Sequence, residues 1–307
     1  MKIIHWLKEE NSGLFRTTAE LTAEEIKQGH AVSLRNPFTA KTFFGFADDD
    51  FDIHCVHSQI HPHYHKDNKP KVLFLHGEPD YGMLHKISVN AIMTLAPIMD
   101  AFIAFNEQEA TIWNSFKRTV IVPKGVNLEM YRPIDTKKKL QGQPAILYAE
   151  HWRSFRHPLH VFIAMERVMK KLPKAKFYPF GCPKEDKDFW MKLIKQNQYT
   201  YFTKGVFQPQ TNMPGLLNLA DIVVSPVFPS YGRVSLEALA CDKPVVAYKT
   251  NPHATYVCEP YNPDDMAEKI IQCYEEKPTG MREYAEKNLS ITQMAERAIE
   301  IYRKLCR

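Results

Sequence analysis

Short apolar runs alternate with longer amphipathic stretches along almost the whole chain. In the first half, the runs at 2–6, 31–34, 53–57, 71–76, 101–105 and 119–122 have the length and content of strands. The stretches at 14–28, 85–97 and 107–116 predict helices. In the first of these, Leu14, Leu21 and Ile26 recur at helical spacing, and Gly29 stands where a C-terminal stop belongs. The second half repeats the rhythm, with strands predicted at 145–149, 176–180, 199–203, 222–225 and 244–248. Helices are predicted at 158–171, 184–196, 213–219, 234–240 and 264–275, and a last one at 292–305. Strands separated by helices imply βαβ units, and right-handed crossovers then place helices on both faces of parallel sheets.

Between the halves, Arg132-Pro133 ends one unit and residues 136–143 are polar, so 131–143 reads as a linker. The expected organisation is α/β, with two Rossmann-like, doubly wound domains at 1–135 and 136–290. The remaining segment, 291–307, is expected to pack its helix back across the join. A length of 307 residues suits two domains of modest size. Open α/β sheets bind ligands outside the carboxyl ends of their strands, so the site is expected in a cleft between the two domains. That much fits many enzymes and many binding proteins.

Composition narrows the picture only a little. Hydrophobic residues make up 44% and charged residues 24%, as in ordinary globular proteins. A net charge of +5 is too mild for a dedicated nucleic-acid binder and is compatible with anionic small substrates or anionic lipid. Cys55, Cys182, Cys241, Cys258, Cys273 and Cys306 show no CxxC spacing, which removes zinc-ribbon and thioredoxin-like readings. They read as reduced, buried thiols of a cytosolic protein. The opening residues 1–13 carry too short an apolar run for a signal peptide, and no uninterrupted apolar stretch has the length of a membrane span. The expected location is cytoplasmic, with peripheral membrane contact left open.

His54, His57, His61, His63 and His65 crowd one stretch. A metal site needs convergent ligands, whereas the second part of this stretch is a polar loop, so no metal is assigned. A loop that meets an acceptor is the better functional reading. Lys66, Lys69, Lys71 and Lys86 permit an anionic acceptor or a membrane surface in the same half.

The most specific segment is 225–248, which reads as strand, glycine-containing loop, helix and strand. Tyr231-Gly232-Arg233 stands just before the helix, where free backbone N–H groups can meet an anion and a glycine permits close approach. Glu237 lies about one turn into that helix, where a carboxylate can accept hydrogen bonds from ribose hydroxyls. On composition alone the commoner reading is a solvent-exposed helix glutamate after an ordinary loop.

This segment resembles the core motif of the retaining glycosyltransferases of the GT-B fold, family four (glycosyl transferases group 1). Glu237-Ala238-Leu239-Ala240-Cys241-Asp242-Lys243-Pro244-Val245-Val246-Ala247 follows that motif nearly residue for residue. Val122-Pro123-Lys124-Gly125-Val126-Asn127 and Tyr131-Arg132-Pro133 resemble the family's exit from its first domain. Ser12-Gly13 and Gly29-His30-Ala31-Val32 resemble its opening glycine loop and the turn after the first helix. Leu172-Pro173, Phe177 and Gly181 match a stretch of the second domain, Lys204-Gly205-Val206 the loop near the base, and Ala220-Asp221-Ile222 the approach to the last motif. The resemblance covers nearly the whole chain, which is shorter than typical members.

The resemblance implies transfer of a hexose-like sugar from a nucleoside diphosphate donor to a hydroxyl acceptor, with retention at the anomeric carbon. It implies no metal and no cofactor: the UDP-sugar or GDP-sugar is a substrate. The second domain would bind the donor and the first the acceptor, and closure would exclude water. Glu237 would hold the ribose. Gly13, Tyr231, Gly232, Arg233 and Val206 would line the donor site, and His76, which ends a strand, would contact the donor sugar. The family's arginine–lysine pair, which neutralises the leaving diphosphate, has no intact counterpart in residues 149–157. Arg156 best fits the lysine position, and Arg153 or His151 the other; arginine can grip phosphate through two N–H groups.

The family's first motif glutamate falls on Pro229, which has neither carboxylate nor N–H. That departure supports the alternative of a non-catalytic or weakly active relative that binds a nucleotide sugar or a partner protein. Epimerases and phosphorylases share the fold, but the Glu237 motif and the short chain argue against them. The acceptor is open among glycan, lipid-linked sugar, protein, small molecule and modified nucleic acid.

Overall fold

The computed structural model describes residues 1–7, 13–36, 39, 41–46, 50–57, 67–76, 92–136, 140–150, 152, 156–181, 192, 212–228 and 231–307. The chain forms two compact units, Met1–Asn127 with Leu289–Arg307, and Leu128–Asn288.

The first unit contains strands β1 (Lys2–Trp6), β2 (Ala31–Arg35), β3 (Thr42–Phe44), β4 (Ile53–His57), β5 (Lys71–Phe74), β6 (Ala101–Ala104) and β7 (Thr119–Ile121). They form one sheet in the order β3-β2-β1-β4-β5-β6-β7. All neighbours are parallel except β2 and β3. Helices α1 (Gly13–Lys27) and α2 (Glu107–Trp113) follow β1 and β6. α1 stops where Gly29 turns to φ 86°, a conformation that glycine adopts without a Cβ penalty. α2 starts at Asn106, whose side chain accepts from the Glu109 N–H at 2.8 Å, while the Glu109 carboxylate accepts from the Phe105 N–H at 2.9 Å.

Strands β1, β2, β4, β5 and β6 are buried on both faces, and alternation sorts their side chains into two cores. Ile4, Trp6, Val56, Leu73 and Leu75 pack on one side with Trp113 of α2. Ile3, Cys55, Val72 and Phe74 pack on the other with Leu21 of α1 and with Ile291, Met294, Ala298 and Tyr302 of the C-terminal helix. That helix, α8, spans Ile291–Leu305 and is capped by Ser290, whose side chain accepts from the Thr292 N–H. Its start is tied down by a bridge between Val126 and Ser290. Gly125 sits beneath it so closely that an added Cβ would lie 2.5 Å from the Ile291 Cα.

The second unit contains β8 (Ala145–Tyr148), β9 (Lys176–Pro179), β10 (Ile222–Val224), β11 (Val245–Tyr248) and β12 (Tyr256–Cys258). They form a parallel sheet in the order β12-β11-β10-β8-β9. Helices α3 (Pro158–Lys171), α4 (Met213–Leu219), α5 (Arg233–Ala240), α6 (Pro263–Glu276) and α7 (Met281–Asn288) accompany it. Asn262 caps α6 by accepting from the N–H groups of Asp264 and Asp265, and Pro263 occupies the first turn. The strand order reverses direction between β8 and β10, which is the switch point where open α/β sheets bind ligands.

Residues 131–134, at the start of the polar stretch read as a linker, are bonded within this unit. Asn218 donates to the Arg132 carbonyl at 2.9 Å and accepts from the Ile134 N–H at 2.8 Å. Arg282 donates to the carbonyls of Tyr131 and Ala240 at 2.7 and 2.9 Å. The predicted strand at 199–203 and helix at 184–196 lie outside the described residues, apart from residue 192. β3, β12 and α7 have no counterpart among the elements predicted from sequence.

Among the described residues, no helix is long and apolar enough to cross a membrane. Cys55, Cys241, Cys258 and Cys273 are buried thiols as expected, but Cys306 is exposed at the chain's end. Cys182 lies outside the described residues.

Candidate functional site

The switch point of the second unit is built from the residues that follow β8 and β10. Glu150, two residues beyond β8, is only 4% exposed. One carboxylate oxygen accepts from Ser225 Oγ at 2.5 Å, just after β10, and the other from Arg156 Nη1 at 2.8 Å. The neighbouring Tyr148 hydroxyl donates to the Arg156 carbonyl at 2.9 Å. Burial and then the nearby Glu150 carboxylate push the Tyr148 phenol well above its usual range, so that hydroxyl is a fixed donor. Arg156 is thereby held at the mouth of the sheet, just before α3.

Gly232 completes this cluster. A Cβ on it would lie 2.1 Å from Glu150 Oε1 and 2.8 Å from Arg156 Nη1. A larger residue would have to displace these side chains, and Gly232 passes them in the extended conformation (φ −80°, ψ 148°) that starts α5 without a side-chain cap. The first N–H groups of α5 are therefore not satisfied by a capping side chain.

Glu237 is 2% exposed, so it is not a solvated helix glutamate. Its Oε1 accepts from Arg233 Nε at 2.7 Å, one turn earlier on α5. Tyr231 is buried and meets His253 edge-on, with ring centroids 5.2 Å apart. Burial lowers His253 to about 4, so this ring is neutral and accepts or donates without charge. Asn251, also buried, donates to Ser235 Oγ at 2.8 Å and ties the loop after β11 to α5.

The structure thus gathers Arg156 and Gly232 with Glu150 and Ser225, and sets Tyr231, Arg233 and Glu237 on the same loop and helix. His151, Arg153 and Val206, and with them Pro229, lie outside the described residues. Gly13 opens α1 in the first unit. Sequence reasoning missed Glu150 and Ser225. Their signal is weak, an acidic residue and a serine just past two strands that turn out to flank the switch point.

In the first unit His76 follows β5 and is half-buried. Its Nε2 lies 2.7 Å from His57 Nδ1, and its ring packs against Phe105 at 5.0 Å. Burial, and then the Lys124 ammonium, hold it well below the usual histidine range. His57, read from sequence as part of a histidine-rich stretch, is therefore a partner of His76. His54 is engaged separately: it accepts from Trp6 Nε1 at 3.0 Å, and its Nε2 faces Asp67 at 3.0 Å. Among the described residues, no group of three or more His, Cys, Asp or Glu side chains is arranged so that it could hold a metal ion; His61, His63 and His65 lie outside them.

The lysines read as an anionic-acceptor surface divide differently. Lys71 is 5% exposed and spends its ammonium on Asp67 and two backbone carbonyls, so it is a structural cation. Lys69 bonds to the Phe51 carbonyl and covers its ring. Lys66 and Lys86 lie outside the described residues.

With two α/β units and a switch-point site in hand, comparison with solved structures defines the fold as GT-B, a pair of Rossmann-like domains. A glycosyltransferase from Rickettsia africae ESF-5 aligns with a TM-score of 0.77 at 16% identity, over 100% of this chain and 98% of that one. Sucrose-phosphate synthase from Thermosynechococcus elongatus aligns with a TM-score of 0.79 at 14% identity, over 99% of this chain and 98% of the other. Anabaena HepE in complex with UDP and glucose aligns with a TM-score of 0.75 at 13% identity, over 99% of this chain and 100% of that one. Residues 145–276, most of the second unit, match the family model described as glycosyl transferases group 1. Comparison with curated proteins gives no match.

Proposed function

We propose that the protein is a glycosyltransferase that moves a hexose-type sugar from a nucleoside diphosphate sugar to a hydroxyl acceptor, with retention at the anomeric carbon. The observation that carries this reading is the buried Glu237 on α5, within a segment that matches the group 1 glycosyltransferase model. Structural relatives that hold UDP and glucose support a UDP-sugar donor.

In this reading Glu237 accepts hydrogen bonds from the ribose hydroxyls of the donor. Arg156 and the amino end of α5 meet the diphosphate. As the glycosidic bond breaks, negative charge grows on the leaving diphosphate, and preorganised cations and N–H groups stabilise it without reorganising. Arg153, His151, Val206 and Gly13 are assigned to the donor site by the sequence motif. His76 contacts the transferred sugar, and the first unit receives the acceptor. The protein works in the cytoplasm, on a free or membrane-borne acceptor.

Pro229 favours a second reading, a relative that binds the donor but does not turn it over. One assay separates the two. The protein is incubated with UDP-glucose or GDP-mannose and a panel of sugar, lipid and small-molecule hydroxyl acceptors. A product whose new linkage has the donor's anomeric configuration by NMR supports the transferase. Inversion removes the retaining assignment, and nucleotide-sugar binding without any product supports the second reading.

A further inference from the structure

Three histidines stand at or just beyond the carboxyl ends of neighbouring strands: His5 on β1, His57 on β4 and His76 after β5. Strand alternation puts all three on the face that α1 and α8 cover, in line with Ile3, Cys55 and Phe74. They form one continuous hydrogen-bonded row. His76 Nε2 lies 2.7 Å from His57 Nδ1, His57 Nε2 lies 2.9 Å from His5 Nδ1, and His5 Nε2 lies 2.8 Å from Glu25 Oε2 on α1. His5, His57 and Glu25 are each at most 1% exposed. The second Glu25 oxygen accepts from the Tyr302 hydroxyl of α8 at 3.2 Å.

The row has a polarity that its terminus dictates. An ionised carboxylate only accepts, so His5 Nε2–H donates to Glu25. A neutral ring has one N–H, so with His5 taken as neutral in the proposal below its Nδ1 accepts from His57 Nε2–H, and His57 Nδ1 in turn accepts from His76 Nε2–H. Thr18 Oγ1 also approaches His57 Nδ1, at 3.3 Å, but its proton has the Leu14 carbonyl at 3.0 Å to go to. His76 is left with its lone pair on Nδ1.

We propose that Glu25, acting through His5 and His57, fixes His76 in the Nε2–H tautomer and so presents its Nδ1 as a hydrogen-bond acceptor for a hydroxyl of the donor sugar. The catalytic meaning rests on the transferase reading above; the tautomer itself does not. Glu25, His5 and His57 are positioning residues, and none of them needs to reach the substrate. The surroundings of His57 and His76 agree with neutral rings at these two positions. Burial, and then His76 and His5, hold His57 well below the usual histidine range, and Lys124 opposes a cation at His76.

The row also tells what a neutral replacement of Glu25 does. In Glu25→Gln the Tyr302 hydroxyl still donates to the side-chain oxygen, which turns the amide NH2 toward His5. A donor at that end reverses every bond, and His76 ends as the Nδ1–H tautomer. The test is NMR of the full chain labelled with 15N-histidine near neutral pH, with His76 assigned by difference from His76→Gln. The wild type should show a pyridine-type Nδ1 and a pyrrole-type Nε2 on His76, and Glu25→Gln should exchange the two. A pyrrole-type Nδ1 in the wild type overturns the proposal, even if the variant does not fold. An unchanged tautomer in a folded Glu25→Gln also overturns it.

Turnover gives the second readout. Glu25→Gln should lower kcat/KM for the donor by about tenfold, as expected when a hydrogen bond to the transferred sugar is lost, while binding of the nucleotide alone stays unchanged. Absence of transfer in the wild type would count against the transferase reading while the spectra still decide the tautomer.

Discussion

Glu237 and Gly232 sit five residues apart and make different demands on the chain. Glu237 is a carboxylate taken out of water that accepts from Arg233, a neighbour on the same helix. Gly232 is required by contact distance. Gly232→Ala would drive a methyl group into Glu150 Oε1 and displace Arg156, so it should destabilise the fold by about 1–3 kcal/mol, read by denaturant unfolding. Donor binding should fall with it, because the same methyl group moves the cation assigned to the diphosphate. Unchanged stability would mean that Glu150 is not where the site needs it. Both residues were legible in the sequence as members of a motif. Glu150 was not, because an acidic residue after a strand gains meaning only when the neighbouring strand brings Ser225 and a glycine against it. The same holds for His5 and Glu25, which are 20 residues apart and ordinary in isolation.

At the scale of elements, the strands of both sheets were legible because short apolar runs bounded by turn residues carry a strong signal. β1 and β4 span the predicted residues, and β5, β6 and β8 stop one or two residues short of the predicted ends. β3 and β12 were not predicted, since three-residue edge strands are too short to show a period and depend on a partner for their form. Capping is testable here. Asn262→Ala removes the acceptor for two amide hydrogens at the start of α6 and should cost about 1 kcal/mol. Gly125→Ala should cost more, since its methyl group meets the backbone of Ile291 rather than a movable side chain. Hydrogen exchange would then show earlier opening of α8 than of α2. Equal protection of the two helices would contradict the docking described for α8.

For the whole molecule, the sequence read correctly as α/β with two Rossmann-like domains, because alternation of strand and helix is a global pattern that no single residue controls. The buried histidines add a property of the whole fold. His57 and His76 are held neutral by burial, so their folded values lie below the unfolded value of 6.5. A group of this kind costs nothing above pH 6.5, where both states are neutral. Below it the unfolded chain takes a proton that the folded chain refuses, so stability falls as pH drops, by up to about 1.4 kcal/mol per pH unit for each such histidine. Thermal unfolding between pH 7.5 and 5 should show this decline, and His57→Gln should flatten it. A stability that rises on acidification would contradict neutral rings at His57 and His76.

The central claim is that the switch point of the second unit binds a nucleoside diphosphate sugar through Glu237. The most direct measurement is calorimetric titration of the wild type and Glu237→Ala with UDP, GDP, ADP and their sugars. Selective binding of one nucleotide is expected, weakened about tenfold to a hundredfold in the variant by loss of hydrogen bonds to a charged group. Equal affinity in the two proteins would remove Glu237 from the donor site, and no binding of any nucleotide would contradict the account as a whole.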